Sequence, residues 1–192
     1  MQSHSGQRRF SVAFVCSGNR FRSVIAEAVF ASIAEGLPVG VTSYGTLDLA
    51  PAGPLPGAVR EAKALGLDIS DHLARNLSGA DLSTTSLVLA FELKHAVAAV
   101  EVAGAPLEHV FILPELVFLL DRIGLVRRLD PVEQAVENVA RAQAGRHDNA
   151  PKRPVPEIED PVSLPDPAQR AIARAVYEAT ESLAVQLLGR AG

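Results

Sequence analysis

The chain has 192 residues, 48% hydrophobic and 21% charged, with a formal net charge of −4. That is the length of one domain with enough apolar residues to bury a real core, and the mild acidity leaves no basic face for nucleic acid. A single cysteine, Cys16, excludes an internal disulfide and a cysteine-rich metal site, and it suits a reducing compartment where the thiol stays free.

Met1 to Arg9 is polar, and the apolar run after it is too short for a signal-peptide core or a membrane span. The expectation is a cytoplasmic protein with no membrane partner. Residues 10–15 read as a buried strand, and 23–35 as a helix stopped by Gly36 and Pro38. Val39 to Ser43 is a second strand, followed by a Gly- and Pro-rich loop from Tyr44 to Leu55. A helix from Pro56 to Leu65 stops at Gly66. Residues 67–85 are irregular, with one short helix near Gly79 to Leu82. Strands at 86–91 and 110–113 flank a helix from Glu92 to Val102. Helical patterns cover 115–123 and 131–143, and Gly145 to Pro165 is a proline-rich linker. A long helix from Pro167 to Leu188 closes the chain, with Ile172, Val176, Ala179, Leu183 and Leu187 along one face. Strands alternating with helices predict a single α/β domain: a four-stranded parallel sheet with helices on both faces. Ligands of such sheets bind beyond the carboxyl ends of the strands, where Cys16 falls.

Cys16-Ser17-Gly18-Asn19-Arg20-Phe21-Arg22-Ser23 joins the first strand to the first helix. A tight loop at a helix N-terminus gathers backbone N–H groups and partial positive charge, so it is suited to an anion. Gly18 can turn N–H groups inward, and Asn19 can brace the loop or adopt a left-handed conformation. Arg22 offers a planar fork that matches two oxygens of a tetrahedral oxyanion. The same charge favours the thiolate of Cys16, and a thiolate beside a bound phosphoryl group is a nucleophile. The expected product is a cysteinyl-phosphate that water later splits, with Ser23 bonding the sulfur as it leaves. No GxGxxG and no Gly-Lys-Ser/Thr follows the loop, which argues against a nucleotide site.

The stretch from Val15 to Ala28 resembles the signature of low-molecular-weight protein tyrosine phosphatases, whose loop reads C-x-G-N-x-C-R-S-P. Cys16, Gly18, Asn19, Arg22 and Ser23 match; Phe21 replaces the second cysteine and Val24 the proline. Ser43-Tyr44-Gly45-Thr46 and Gly66-Leu67-Asp68-Ile69 with His72 resemble further family segments. The resemblance implies a cysteine-dependent phosphomonoesterase acting on a phosphorylated protein or a small phosphomonoester, without cofactor; no metal is expected, since His4, His72, His95, His109 and His147 form no ligand spacing. It implies Cys16 and Arg22 as catalytic residues and Ser17, Gly18, Asn19, Arg20, Phe21 and Ser23 as the phosphate-binding loop. Asn19, Ser23, Ser43 and His72 would form the supporting hydrogen-bond network. Residues 115–155 stand outside the resemblance, as a helical insertion and linker.

The family also uses an acid from an Asp-Pro late in the chain. Here there are three: Asp130-Pro131, Asp160-Pro161 and Asp166-Pro167. Asp130 and Asp166 each precede a helical pattern with Pro at the first position and Glu or Gln at the third, a capping-box layout. Asp160 has no such layout and is the expected acid. Few aromatics accompany the site, with Leu47-Asp48-Leu49 on one loop and Val162-Ser163 after the acid; Tyr44 is one candidate wall. Two other functions compete: arsenate reduction using an external thiol, since no second cysteine exists, and non-catalytic phosphoryl binding.

Overall fold

The computed structural model describes residues 9–150 and 155–189; residues 151–154 of the expected linker lie outside the described residues. Four strands, β1 (Phe10–Cys16), β2 (Val39–Gly45), β3 (Leu87–Ala90) and β4 (Val110–Ile112), pair in parallel in the order β2-β1-β3-β4. The helices are α1 (Arg22–Ile33), α2 (Pro56–Ala64), α3 (Leu93–Glu101), α4 (Leu113–Ile123), α5 (Pro131–Gly145) and α6 (Asp166–Leu188).

Alternation along the strands sends side chains to two separate cores. Val12, Phe14 and Cys16 of β1, Leu87 and Leu89 of β3, and Phe111 of β4 face one cluster, which α1, α2, α4, α5 and α6 complete. Ala13, Val15, Val88 and Val110 face the other, thinner layer, made of Ala99 on α3 with Leu77, Leu82 and Ala103. Burial on both faces explains the near-continuous apolar strands. Residues 115–142 add Leu116, Leu119, Leu120, Val132, Ala135, Val139 and Ala142 to the larger core.

The chain leaves β1 for β2 on one side and returns to β3 on the other. The loops after β1 and β3 therefore open a crevice at the carboxyl edge of the sheet, the place where such folds hold ligands.

Two local expectations shift. Asp130 caps α5, accepting from Val132 N at 2.7 Å and Glu133 N at 3.4 Å. Asp166 does not cap α6. The Pro165 carbonyl already takes the first helical bonds, from Ala168 N at 2.9 Å and Gln169 N at 3.1 Å. The helix thus begins one residue early, and the Asp166 carboxylate pairs with Arg60 at 3.1 Å instead. The short helix of the 67–85 stretch is a 3-10 turn at Leu77–Gly79, two residues ahead of its expected place.

Candidate active site

The loop between β1 and α1 is shaped by where its carbonyls go. The Cys16 and Ser17 carbonyls accept from Thr46 N and Leu47 N, each at 2.9 Å, and the Arg20 carbonyl accepts from Leu55 N at 2.9 Å. A trans peptide with its carbonyl turned outward has the next N–H turned the other way, so the following amides face into the loop. No side chain caps the first turn of α1, which leaves its N–H groups to the same concavity. Gly45 lets the loop settle on β2: a Cβ there would lie 2.9 Å from Asn19 N, Gly18 C and Ser17 O.

Asn19 holds the loop from beneath. It is fully buried with φ of 50°, a left-handed conformation that asparagine tolerates. Its Nδ2 donates to Ser23 Oγ at 2.9 Å and to Ser43 Oγ at 2.7 Å. Its Oδ1 accepts from Arg75 N at 2.8 Å and from His72 Nε2 at 3.1 Å. Ser23 Oγ, already an acceptor from Asn19, lies 3.0 Å from Cys16 Sγ, so its own proton is free for the sulfur. The Ser43 hydroxyl donates to the Glu27 carboxylate, which Arg75 Nη2 grips at 2.6 and 2.7 Å. Burial holds His72 below its ordinary pKa despite Glu27 nearby, which suits a neutral ring donating through Nε2.

Arg22 is buried and engaged on both terminal nitrogens. Its Nη1 donates to Glu92 Oε1 at 2.6 Å and to the Ile158 carbonyl at 2.8 Å. Its Nη2 donates to Asp160 Oδ2 at 2.6 Å and to Ser17 Oγ at 3.1 Å. Phe91 lies under the guanidinium, 5.8 Å from ring centroid to Cζ. The Asp160 segment is pinned to the sheet edge by Ile158 N donating to the Phe91 carbonyl at 3.1 Å. Burial works against the Glu92 carboxylate, but bonds from Lys94 and Arg22 outweigh it and keep its pKa below the usual range. His95, fully buried in α3, has Nε2 3.0 Å from Ser17 Oγ. Burial, then the Arg22 charge, push its pKa down to about 4.

The structure thus brings together Cys16, Ser17, Gly18, Asn19, Arg22, Ser23, Ser43, His72 and Asp160, with Asp160 joining from 138 residues along the chain. Arg20 stands at the rim, its Nε bound to the Gly53 carbonyl at 2.7 Å. The Phe21 side chain is buried in the larger core, so only its backbone faces the loop. Tyr44 packs against the smaller core with the Arg75 guanidinium over its ring, 5.7 Å from the centroid. Exposed Leu47, Leu49 and Val162 supply apolar side chains on the loops flanking the site.

Residues 11–142 match the family model described as low molecular weight phosphotyrosine protein phosphatase. The chain belongs to this family. Among relatives, it is 34% identical over 82 residues to a probable low molecular weight protein-tyrosine-phosphatase, EpsP, of Ralstonia nicotianae, a match covering 43% of this chain and 55% of that one. It is also 34% identical over 108 residues to the protein-arginine-phosphatase of Bacillus subtilis, covering 55% of this chain and 71% of the relative. The chain spans about half the length of the Ralstonia phosphatases it matches. Among solved structures, the YwlE mutant from Bacillus subtilis superposes with a TM-score of 0.66 at 24% identity, covering 93% of this chain and 98% of that one. The shared fold is that of low molecular weight phosphatases, including the four-stranded parallel sheet.

Sequence reasoning missed four residues of the site: Glu27, Arg75, Glu92 and His95. Two carried a signal. Glu27 lies four residues after Ser23, on the same helical face. Glu92 follows β3 at its carboxyl end, the side from which ligands are met. Arg75 and His95 look like an ordinary surface arginine and a helix histidine until the fold places them.

Proposed function

We propose that the chain is a cysteine-dependent phosphomonoesterase that acts on phosphorylated proteins through a cysteinyl-phosphate. The carrying observation is the convergence of Cys16 Sγ beside Ser23 Oγ at 3.0 Å with an Arg22–Asp160 pair at 2.6 Å, in one crevice. Cys16 Sγ attacks phosphorus as the bond to the leaving group breaks. Loop amides and Arg22 bind the three phosphoryl oxygens and hold them in the trigonal arrangement of the transition state. Asp160, freed from Arg22 by the phosphoryl group and protonated from solvent beside that group's negative charge, gives the proton to the leaving atom, then takes one from the water that splits the S–P bond. Ser23 donates to the departing sulfur in that second step.

Phosphotyrosine is the first substrate class, supported by the family and by the Ralstonia relatives. Phosphoarginine, with a P–N bond to break, is a second, supported by the Bacillus relative and by an aliphatic rim where an aromatic slot would suit a phenol ring. A nucleophile that must remain a thiol fits the cytoplasm.

Purified protein should hydrolyse an aryl phosphate with a chelator present, and Cys16→Ser should abolish turnover. Rates on phosphotyrosine and phosphoarginine peptides then separate the substrate classes. A wild-type protein inert toward all three compounds overturns the reading.

A further inference from the structure

The geometry around Arg22 assigns a role to a histidine that the chemistry above does not use. All four Nη hydrogens of Arg22 have partners: Glu92 and the Ile158 carbonyl on Nη1, Asp160 and Ser17 on Nη2. A phosphoryl oxygen that takes a place on Nη2 must therefore displace Ser17 or Asp160. These two are held differently. Asp160 is one-third exposed, on the segment before α6. Ser17 sits on the loop itself, and its Oγ has a second partner in His95 Nε2 at 3.0 Å.

The proton of that contact belongs on Nε2. Glu92 Oε1 lies 3.7 Å from the same nitrogen and attracts it. The Nδ1 atom is buried with no partner among the described residues, and an unpaired lone pair there is less awkward than an unpaired N–H. His95 therefore donates to Ser17, and Ser17 Oγ accepts from both His95 and Arg22. With both lone pairs used, its hydroxyl can meet a phosphoryl oxygen only as a donor.

We propose that His95 is a positioning residue: through Ser17 it holds the Nη2 edge of Arg22 and turns the Ser17 hydroxyl into a donor, so that Asp160 is the partner that yields to the phosphoryl group. This rests on the phosphatase reading. It also gives the acid a trigger, since the substrate itself releases Asp160 from Arg22 and frees it to meet the leaving atom.

The test compares wild type, His95→Leu, His95→Gln, Ser17→Ala and the Ser17→Ala/His95→Leu double variant. The readouts are aryl phosphate hydrolysis and competitive inhibition by inorganic phosphate. His95→Leu should lower kcat/KM and weaken phosphate inhibition, each roughly tenfold, within the range of coupled polar neighbours. His95→Gln, with an amide N–H in place of Nε2–H, should restore both. On the Ser17→Ala background the His95→Leu change should do nothing further. Asp160→Ala should act in the opposite sense and strengthen phosphate inhibition. Should His95→Leu not fold, His95→Asn, whose amide is too short to reach Ser17, takes its place. Equal losses with and without Ser17, or weaker phosphate inhibition in Asp160→Ala, overturn the inference while leaving the phosphatase reading intact. A wild type that neither turns over the ester nor binds phosphate overturns both.

Discussion

Asn19 shows how much one side chain can organise. Its amide spends all four hydrogen-bonding positions on Ser23, Ser43, His72 and Arg75, and its backbone sits at a positive φ. Asn19→Ala keeps the strained backbone and removes the four side-chain bonds beneath the loop. We expect a stability loss of about 2–4 kcal/mol, from buried partners left unpaired, and a fall in kcat measured on the same preparation. Gly45 acts by being small. Gly45→Ala places a methyl against the backbone of Ser17, Gly18 and Asn19, none of which is a flexible tip. The loop must shift, and kcat/KM for an aryl phosphate should drop at least about tenfold, since a 1 Å misplacement costs that much or more. Wild-type turnover in Gly45→Ala would mean that the loop does not need its observed seat on β2. At Asp160, replacement by Ala should slow esters of poor leaving groups by about 10²–10⁴-fold and those of good leaving groups far less. Equal slowing of both series would remove Asp160 from the acid role.

At the scale of elements, two kinds of helix start carry different consequences. The start of α5 is closed by its own Asp130, and Asp130→Ala should lower stability by about 1 kcal/mol in a thermal melt without touching turnover. The start of α1 has no side-chain cap, which leaves its first amides open to the concavity of the loop. The sequence pattern located the four strands and six α-helices of the described residues because apolar runs and Gly or Pro stops are local signals. It missed the early start of α6, since Pro165 and Pro167 both suit a helix entrance and only tertiary contacts choose between them. The loop residues from Cys16 to Ser23 were legible because they are contiguous. His95 was not, because what makes it part of the site is the pairing of β3 beside β1, a relation that no stretch of neighbouring residues encodes.

Across the whole molecule, buried neutral histidines tie stability to pH. His95 stays neutral in the folded protein down to about pH 4, whereas an unfolded histidine takes up a proton near 6.5. Between those values the unfolded chain binds more protons, so stability is complete above about pH 6.5 and declines as pH falls toward 4. His72, also lowered by burial, contributes in the same direction. The His95 share is on the order of 3 kcal/mol at most. Urea midpoints should fall between pH 7 and pH 5, and His95→Gln should flatten that slope; an unchanged slope would contradict the burial argument. The placement of Phe21 has a different reach. Its ring fills the core at the position where the family signature carries a second thiol, and Cys16 is the chain's only one. A peroxide that converts this sulfur to a sulfenic acid meets no internal partner with which to form a protective disulfide, so further oxidation proceeds unless a small external thiol intercepts it. Brief peroxide exposure should therefore be reversed only when such a thiol is added promptly, and the enzyme's working life under oxidative stress would be set by the reductant pool around it rather than by its own chain.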